Sequence, residues 1–212
     1  MSDQKKWTPR KWFVFAAFIV LFAGLPALSW WYLKGGLEWR KEAIAELGNY
    51  GKVRKAPVIY ADGTKEDLLA GNVGVIYNFG VSPDLTAANK RAFDIAEKLY
   101  DQFAKLKSGG IHPHFRLVMI SENGTSEFRS HMQKIPTYDF AAWIWMGGVN
   151  SWRTILENGI DAYCTHRQIA PFPHYFALCD TTGEIRRFYN ADSDQEIGRM
   201  VEHIAILLPP AE

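Results

Sequence analysis

The sequence has little net charge and no repeat. Its 212 residues include 24 Lys+Arg against 23 Asp+Glu, a formal charge of +1 at neutral pH. A nearly neutral body lacks the basic patch that binds phosphate backbones, so we do not expect nucleic acid as a partner. The 17 Gly and 10 Pro follow no period, which excludes fibrous and solenoid proteins. A hydrophobic content of 48% excludes a disordered chain.

Signatures of common enzyme classes are also missing from the sequence. It contains no nucleotide-phosphate loop, no zinc-protease helix, no G-x-S-x-G elbow and no convincing Ser/His/Asp constellation. It has only two cysteines, Cys164 and Cys179. We therefore expect a protein that is not an enzyme, with no catalytic residues, no cofactor and no resident metal.

One segment has the composition of a transmembrane helix. Residues 12–33 carry no charge, and at about 1.5 Å per residue a helix of this length spans a hydrocarbon core of about 30 Å. Trp12 at one end and Trp30, Trp31 and Tyr32 at the other are typical of the aromatic belts at the membrane surface. A cleaved signal peptide would have small residues where this aromatic cluster stands, so we predict a retained, single-pass anchor.

The flanking charges give the orientation and the domain plan. Four basic residues precede the apolar segment and three follow closely, and this slight excess favours a cytoplasmic N-terminus with an exported body at the inner membrane. The predicted organisation is a tail over residues 1–11, a membrane helix over 12–33, a juxtamembrane stalk over 34–56 and a domain over 57–212.

Strands and helices are predicted to alternate in the exported body. Apolar runs bounded by glycine indicate buried strands, and apolar residues at helical spacing indicate helices that cover the sheet. The order predicts an α/β fold, a thioredoxin-like domain whose mixed sheet is flanked by helices. The predicted elements are strands at 74–79, 115–120 and 141–146, helices from Ser82 to about Lys107, at 125–134, at 150–157 and at 194–208, and a hairpin formed by HYFALCD and IRRFYNA.

Four stretches of this body resemble the Sco (synthesis of cytochrome oxidase) family. They are residues 56–79, the strand–loop–helix around Ser82, the strand AAWIWMGG, and HYFALCDTTGEIRRFY, which is similar to the family's F-x-L-V-D-x-x-G-x-I-x-x-x-Y. The resemblance implies a membrane-anchored thioredoxin-like protein that serves the assembly of a respiratory terminal oxidase. Its implied partners are the subunits of that oxidase or of its supercomplex, in addition to the lipid bilayer.

The chemistry of that family depends on a C-P-x-x-C loop and a distant histidine, which together hold copper or exchange thiols. In this sequence the loop corresponds to residues 82–86, where Ser82 and Thr86 replace both cysteines and Pro83 is kept. Neutral hydroxyls lack the softness and the anionic form of thiolates, so the copper and redox functions are not expected to transfer. The family histidine corresponds to His174 or, less well, to His166. The resemblance thus implies a redox-inactive accessory, assembly or structural subunit.

Other interpretations of the same residues remain open. Cys164, His166 and His174 could form an altered copper site in a metallochaperone, and a single active cysteine could serve a thiol oxidoreductase. Export would permit a disulfide between Cys164 and Cys179, although Cys179 stands in an apolar strand where a free thiol behaves as a small hydrophobe. The tryptophans of residues 143–152 form either part of the core or a docking patch.

Overall fold

The computed structural model describes residues 9–53, 57–59, 65–69, 71–79, 87–105, 114–121, 142–147 and 150–209. The chain divides into two compact units, Met1–Ala45 and Glu46–Glu212. The predicted loop at residues 82–86 and the predicted helix at 125–134 lie outside the described residues.

The first unit is a long helix. Helix α1 (Pro9–Ile19) passes through a π-helical turn (Val20–Gly24) into α2 (Leu25–Ala45). The stretch Trp12–Ala45, 34 residues with a mean hydropathy of 2.2 in its most apolar window, is long and apolar enough to cross a membrane. Helical structure continues past Leu33 to Ala45, with Lys34 and Glu38 paired at 3.8 Å one turn apart. The boundaries proposed for the membrane segment and the stalk remain predictions.

The second unit is built on a mixed five-stranded sheet, with a separate two-stranded ribbon before it. Strands β1 (Pro57–Ile59) and β2 (Lys65–Asp67) form the antiparallel ribbon. The sheet has the order β5-β4-β3-β6-β7, in which β3, β4 and β5 run parallel and the hairpin β6–β7 is antiparallel to its neighbours. Its strands are β3 (Val73–Asn78), β4 (Phe115–Ser121), β5 (Trp143–Gly147), β6 (Tyr175–Cys179) and β7 (Ile185–Asn190).

Helices cover the sheet on both faces because its strands are apolar on both sides. Val75 and Tyr77 of β3 join the apolar cluster that also contains buried residues of α3 (Ala87–Leu99) and α5 (Asp194–Leu207). Ile76 joins the other cluster, together with residues of α4 (Asn150–Arg167). Parallel strands at the centre, a terminal hairpin and helices on both faces confirm the predicted thioredoxin-like α/β fold.

Trp143 belongs to the core. Its side chain is fully buried, and its ring lies 5.4 Å from that of Phe93 and 5.5 Å from that of Tyr100, centroid to centroid. It is therefore not part of a docking patch.

The predicted end of the third helix near Asn158-Gly159 is wrong, because α4 continues to Arg167. Gly159 is inside the helix and packs so closely that an added Cβ would lie 2.9 Å from Cζ of Phe188 and 3.0 Å from the carbonyl oxygen of Tyr50. Glycine here permits close approach rather than ending the helix. Ile160 and Tyr163 extend the buried face of α4 beyond it.

Candidate functional site

The end of the sheet at which β3 terminates is the first candidate site. Strand β6 is antiparallel to β3 in a register that pairs Tyr77 with Phe176. Two residues further along, this register brings His174, which precedes β6, to the level of Phe79, which follows β3. The carbonyl of His174 also accepts a hydrogen bond from Ala191 N–H at 3.0 Å. We call this region, defined by Phe79, His174 and Ala191, the His174 end.

The register places the two candidate histidines differently. His174 lies level with Phe79 at the end of β3, and α3 begins at Ala87. His166 is on the solvent-exposed side of α4, with its ring 6.0 Å from that of Tyr50. Ser82 and Thr86, the residues predicted to replace the two thiols, lie outside the described residues.

Neither cysteine is available for thiol chemistry. Cys164 lies in α4, beyond the predicted helix end at residue 157, and Cys179 lies in β6. Both are free, with exposures of 3% and 0%. The disulfide considered between them is therefore not formed. Burial raises the pKa of both thiols, and since the thiolate is the nucleophile, both are held in the unreactive form.

The alternative copper site does not assemble. Cys164 and His166 are two positions apart on α4, a spacing that directs side chains to different sides of a helix. Cys164 packs in the core, whereas His166 is exposed. Within the part of the chain that the structure describes, which includes both residues and His174, no three His, Cys, Asp or Glu are grouped to hold a metal ion.

A second candidate region is a network of arginines and glutamates that sequence reasoning missed. Arg199 of α5 grips the carboxylate of Glu46 with two hydrogen bonds, from Nε at 3.0 Å and Nη2 at 2.8 Å. Arg187 of β7, whose side chain is only 7% exposed, donates one Nη group to Glu46 and the other to Glu196 at 3.2 Å. Arg199 also pairs with Glu202 at 2.5 Å. These five residues are the arginine cluster.

The cluster fixes the ionisation of Glu46. The hydrogen bonds from Arg199, followed by the charge of Arg187, lower the pKa of this carboxyl to about 2 in spite of partial burial. A buried pair adjoins it: the hydroxyl of Tyr189 and Nδ1 of His203 lie 2.7 Å apart, and Nε2 of His203 is 3.8 Å from the Glu46 carboxylate. Burial raises the pKa of Tyr189 well above its usual value. Glu46 is thus a permanent anion at neutral pH.

Glu46 also begins a segment that is bound along β7. Four backbone hydrogen bonds of 2.8 to 2.9 Å join residues 48–53 to residues 183–186, and Arg167 donates to the carbonyl of Glu46 at 2.8 Å. We call residues 46–53 the clamped segment. The arginines of the cluster hold the Glu46 carboxylate, and the backbone of residues 183–186 holds residues 48–53. The clamped segment is therefore fixed to the sheet.

The chemistry of the cluster is structural. The cleft beside it, about 540 Å³ in volume, is lined by three arginines and three glutamates, so their charges balance. The other lining residues are Gln195 and Gly198, and the cleft has no thiol, hydroxyl or imidazole in its lining. A balanced set of ion pairs without a nucleophile holds elements together and offers no net charge to an anion.

One sequence signal could have indicated the cluster. In the strand IRRFYN, Arg187 is in phase with Tyr189, which is buried. An arginine on a buried strand face requires a carboxylate partner. That partner, Glu46, lies 141 positions away in the sequence, so local pattern does not identify it.

No protein family model and no curated protein matches this chain. Several solved structures are similar to it. A member of the Sco family of cytochrome c oxidase assembly proteins, BsSco, shares 15% identity over 75% of this chain and 94% of its own, with a TM-score of 0.47. A SCO1/SenC family lipoprotein from Bacillus anthracis shares 16% over 76% and 96%, with a TM-score of 0.46. A putative protein disulfide isomerase from Bacteroides thetaiotaomicron shares 13% over 76% and 91%, with a TM-score of 0.49.

Two of these solved structures are Sco-family proteins, the family that the four sequence stretches resemble. The assignment of the fold itself rests on the strand order and register described above.

Proposed function

We propose that this protein is a membrane-anchored, redox-inactive accessory or assembly subunit of a respiratory terminal oxidase or its supercomplex. The observation that carries the proposal is the separation of thiols from the His174 end. The chain has two cysteines, and both are buried in the core, on α4 and β6. A thioredoxin-like domain without accessible thiols is suited to binding rather than to electron transfer.

The N-terminal helix supports the membrane part of the proposal. It is long and apolar enough to cross a bilayer, and the aromatic residues near both ends of the predicted span suit the two membrane surfaces. In this proposal the N-terminus is cytoplasmic and the domain lies on the periplasmic side. Protease added outside the intact inner membrane is then expected to digest the domain and spare an N-terminal tag; protection of the domain would reverse the orientation.

The link to an oxidase comes from the resemblance of the four sequence stretches, which is an analogy of family and not of site chemistry. Gentle detergent extraction with a C-terminal tag tests it. Stoichiometric recovery of terminal oxidase subunits, stable through a second purification step, is the expected result. Recovery of the chain alone, or of a complex without an oxidase, would overturn this part of the proposal.

A gain-of-function variant tests the loss of the metal site. The full-length chain is expected to retain no stoichiometric Cu(I) against a modest chelator, because Ser82 and Thr86 offer neutral oxygens. The double variant Ser82→Cys/Thr86→Cys is expected to form a disulfide on mild oxidation and, when reduced, to bind Cu(I). Adding His174→Ala to it should weaken copper binding, whereas adding His166→Ala should not. Copper bound tightly by the unaltered chain would contradict a redox-inactive role.

A further inference from the structure

The long N-terminal helix has a defect in its backbone ladder at residues 20–26. In the π-helical turn, Leu25 N–H donates to the carbonyl of Val20, five residues earlier instead of four. In this register the next donor, residue 26, would serve the carbonyl of Leu21. Residue 26 is Pro26, which has no N–H to give. The carbonyl of Leu21 therefore lacks a π-helical donor, and its α-helical donor, Leu25 N–H, is bonded to Val20.

This carbonyl lies near the middle of the predicted membrane segment. Leu21 is nine residues from Trp12 and twelve from Leu33, the two ends of the uncharged run. Water is absent from the hydrocarbon core, and an unsatisfied backbone group there costs several kcal/mol. The neighbouring side chains of Val20 and Phe22 are 67% and 68% exposed, so this unit supplies no cover of its own at that level.

The polar side chains of the apolar segment, residues 12–33, are too distant to serve this carbonyl. In a parallel pair of identical helices, residues of equal number lie at equal depth. The nearest polar side chain of the segment, Ser29, is eight residues from Leu21, or about 12 Å along a helix axis. A second copy of this chain therefore does not bring a donor to the right depth.

We propose that the backbone carbonyl of Leu21 is a docking point for a transmembrane helix of a different protein, which donates a hydrogen bond from a hydroxyl or amide side chain at mid-membrane depth. Phe18 and Phe22, whose rings stack 5.7 Å apart on this stretch of the helix, give the partner an apolar surface to pack on. This inference rests on the proposed function, since it requires the membrane anchor and a membrane partner, and it specifies how the two meet.

Site-specific photo-cross-linking in intact membranes tests the proposal. A photoreactive phenylalanine analogue is placed at position 22 or at position 20, which faces the opposite side at nearly the same depth. A cross-link from position 22, and not from position 20, to one membrane-spanning oxidase subunit supports the inference. A cross-linked dimer of this chain, or equal cross-links from both positions, would overturn it.

The variant Pro26→Ala restores the missing N–H and makes the test quantitative. An interhelical hydrogen bond in a membrane is worth about 0.6–1.7 kcal/mol, so we expect recovery of the partner to fall about 3- to 20-fold. Val20→Ala, on the opposite face, should leave recovery unchanged. If the unaltered chain recovers an oxidase and Pro26→Ala recovers it equally well, this inference fails while the proposed function stands. If the unaltered chain recovers no membrane partner, the proposed function fails first.

Discussion

The His174 end has the position of a functional site but few reactive groups, whereas the arginine cluster has many charged groups but a structural role. The His174 end lies where parallel strands terminate, the usual place for a site in an α/β sheet, yet its described residues include one imidazole and no thiol or carboxylate. The arginine cluster has five charged side chains and a carboxyl with a strongly lowered pKa. It nevertheless holds a chain segment in place. In this protein the strongly shifted carboxyl pKa belongs to a structural cluster rather than to the end of the parallel strands.

The difference follows from what each region has to hold. Carboxylates and guanidinium groups in the cluster pair with one another at 2.5 to 3.2 Å, so most of their hydrogen-bonding capacity is used within the cluster. Nε of Arg187 is the exception among them, since it is buried without a hydrogen-bond partner. At the His174 end the side chain of His174 is half-buried. The ion pairs of the cluster therefore stabilise the fold, whereas the described residues of the His174 end form no such network.

The largest expected effect is the difference in thiol reactivity between the native and the unfolded protein. In the native chain Cys164 and Cys179 should react with a maleimide at least about 1000-fold more slowly than in urea, because labelling requires opening of the core. The variant His166→Cys, two positions from Cys164 on the exposed side of α4, is the matched control and should react quickly. Fast labelling of Cys164 would restore the single-cysteine oxidoreductase as a candidate.

Removal of Arg187 should cause the largest loss of stability. Arg187→Ala leaves Glu46 with one of its two arginines and takes the arginine from Glu196. Removing one partner of a fully buried ion pair costs about 3–5 kcal/mol. Because Glu46 and Glu196 are about one-third exposed, we expect a loss near the lower end of that range, measurable as the free energy of unfolding in urea. His174→Ala is expected to change it by about 0.5 kcal/mol or less, as for a surface substitution. Equal losses at both positions would erase the distinction between the two regions.

Gly159 tests the packing that supports the clamped segment. In Gly159→Ala the new methyl group would press on the ring of Phe188 and on the carbonyl of Tyr50, and overpacking of this kind costs about 1–3 kcal/mol. Gly198→Ala is the control, since a Cβ there meets nothing within 4 Å. On helix α5 that change should stabilise by up to about 1 kcal/mol. A harmless Gly159→Ala would mean that the segment and α4 are not in tight contact.

Glu46 gives the arginine cluster a defined pH dependence. Its pKa is about 2 in the folded chain against an ordinary value of 4.5, so its stabilising effect is complete above pH 4.5 and is lost as the pH falls toward 2. Glu46→Gln should lower the free energy of unfolding at pH 7 by about 1.5 kcal/mol and flatten its decline below pH 4.5. Parallel curves for both proteins would show that Glu46 is not held by the arginines.

Local pattern predicted the sheet, and long-range contacts account for most of what it missed. The apolar runs at β3 and β4 and the turn of the hairpin have strong local signals, and the structure contains all of them. Local pattern predicts a helix end at Gly159, because the residues that it closely contacts, Tyr50 and Phe188, are distant in sequence. The cluster was missed for the same reason. The prediction for residues 82–86 depends on the family resemblance alone. The structure shows at which end of the sheet His174 lies.

The smallest expected effect concerns Ser193, which lies between the two regions. Ser193 caps α5 by accepting a hydrogen bond from Glu196 N–H at 3.3 Å, three residues on. The preceding turn includes Ala191, which binds the carbonyl of His174, and α5 carries Arg199 of the cluster. Ser193→Ala should cost about 1 kcal/mol, the usual loss for an N-cap, and Ser193→Asp should keep the cap.

The same pair of variants distinguishes a local cap from a link between the regions. If Ser193 only caps the helix, the loss in Ser193→Ala adds to that in Arg199→Ala, whose bonded partners are Glu46 and Glu202 rather than Glu196, within about 0.5 kcal/mol, as for independent sites. A larger deviation in the double variant would show that the turn, the helix start and the cluster act as one unit. In that case a partner bound at the His174 end would also change the stability of the arginine cluster.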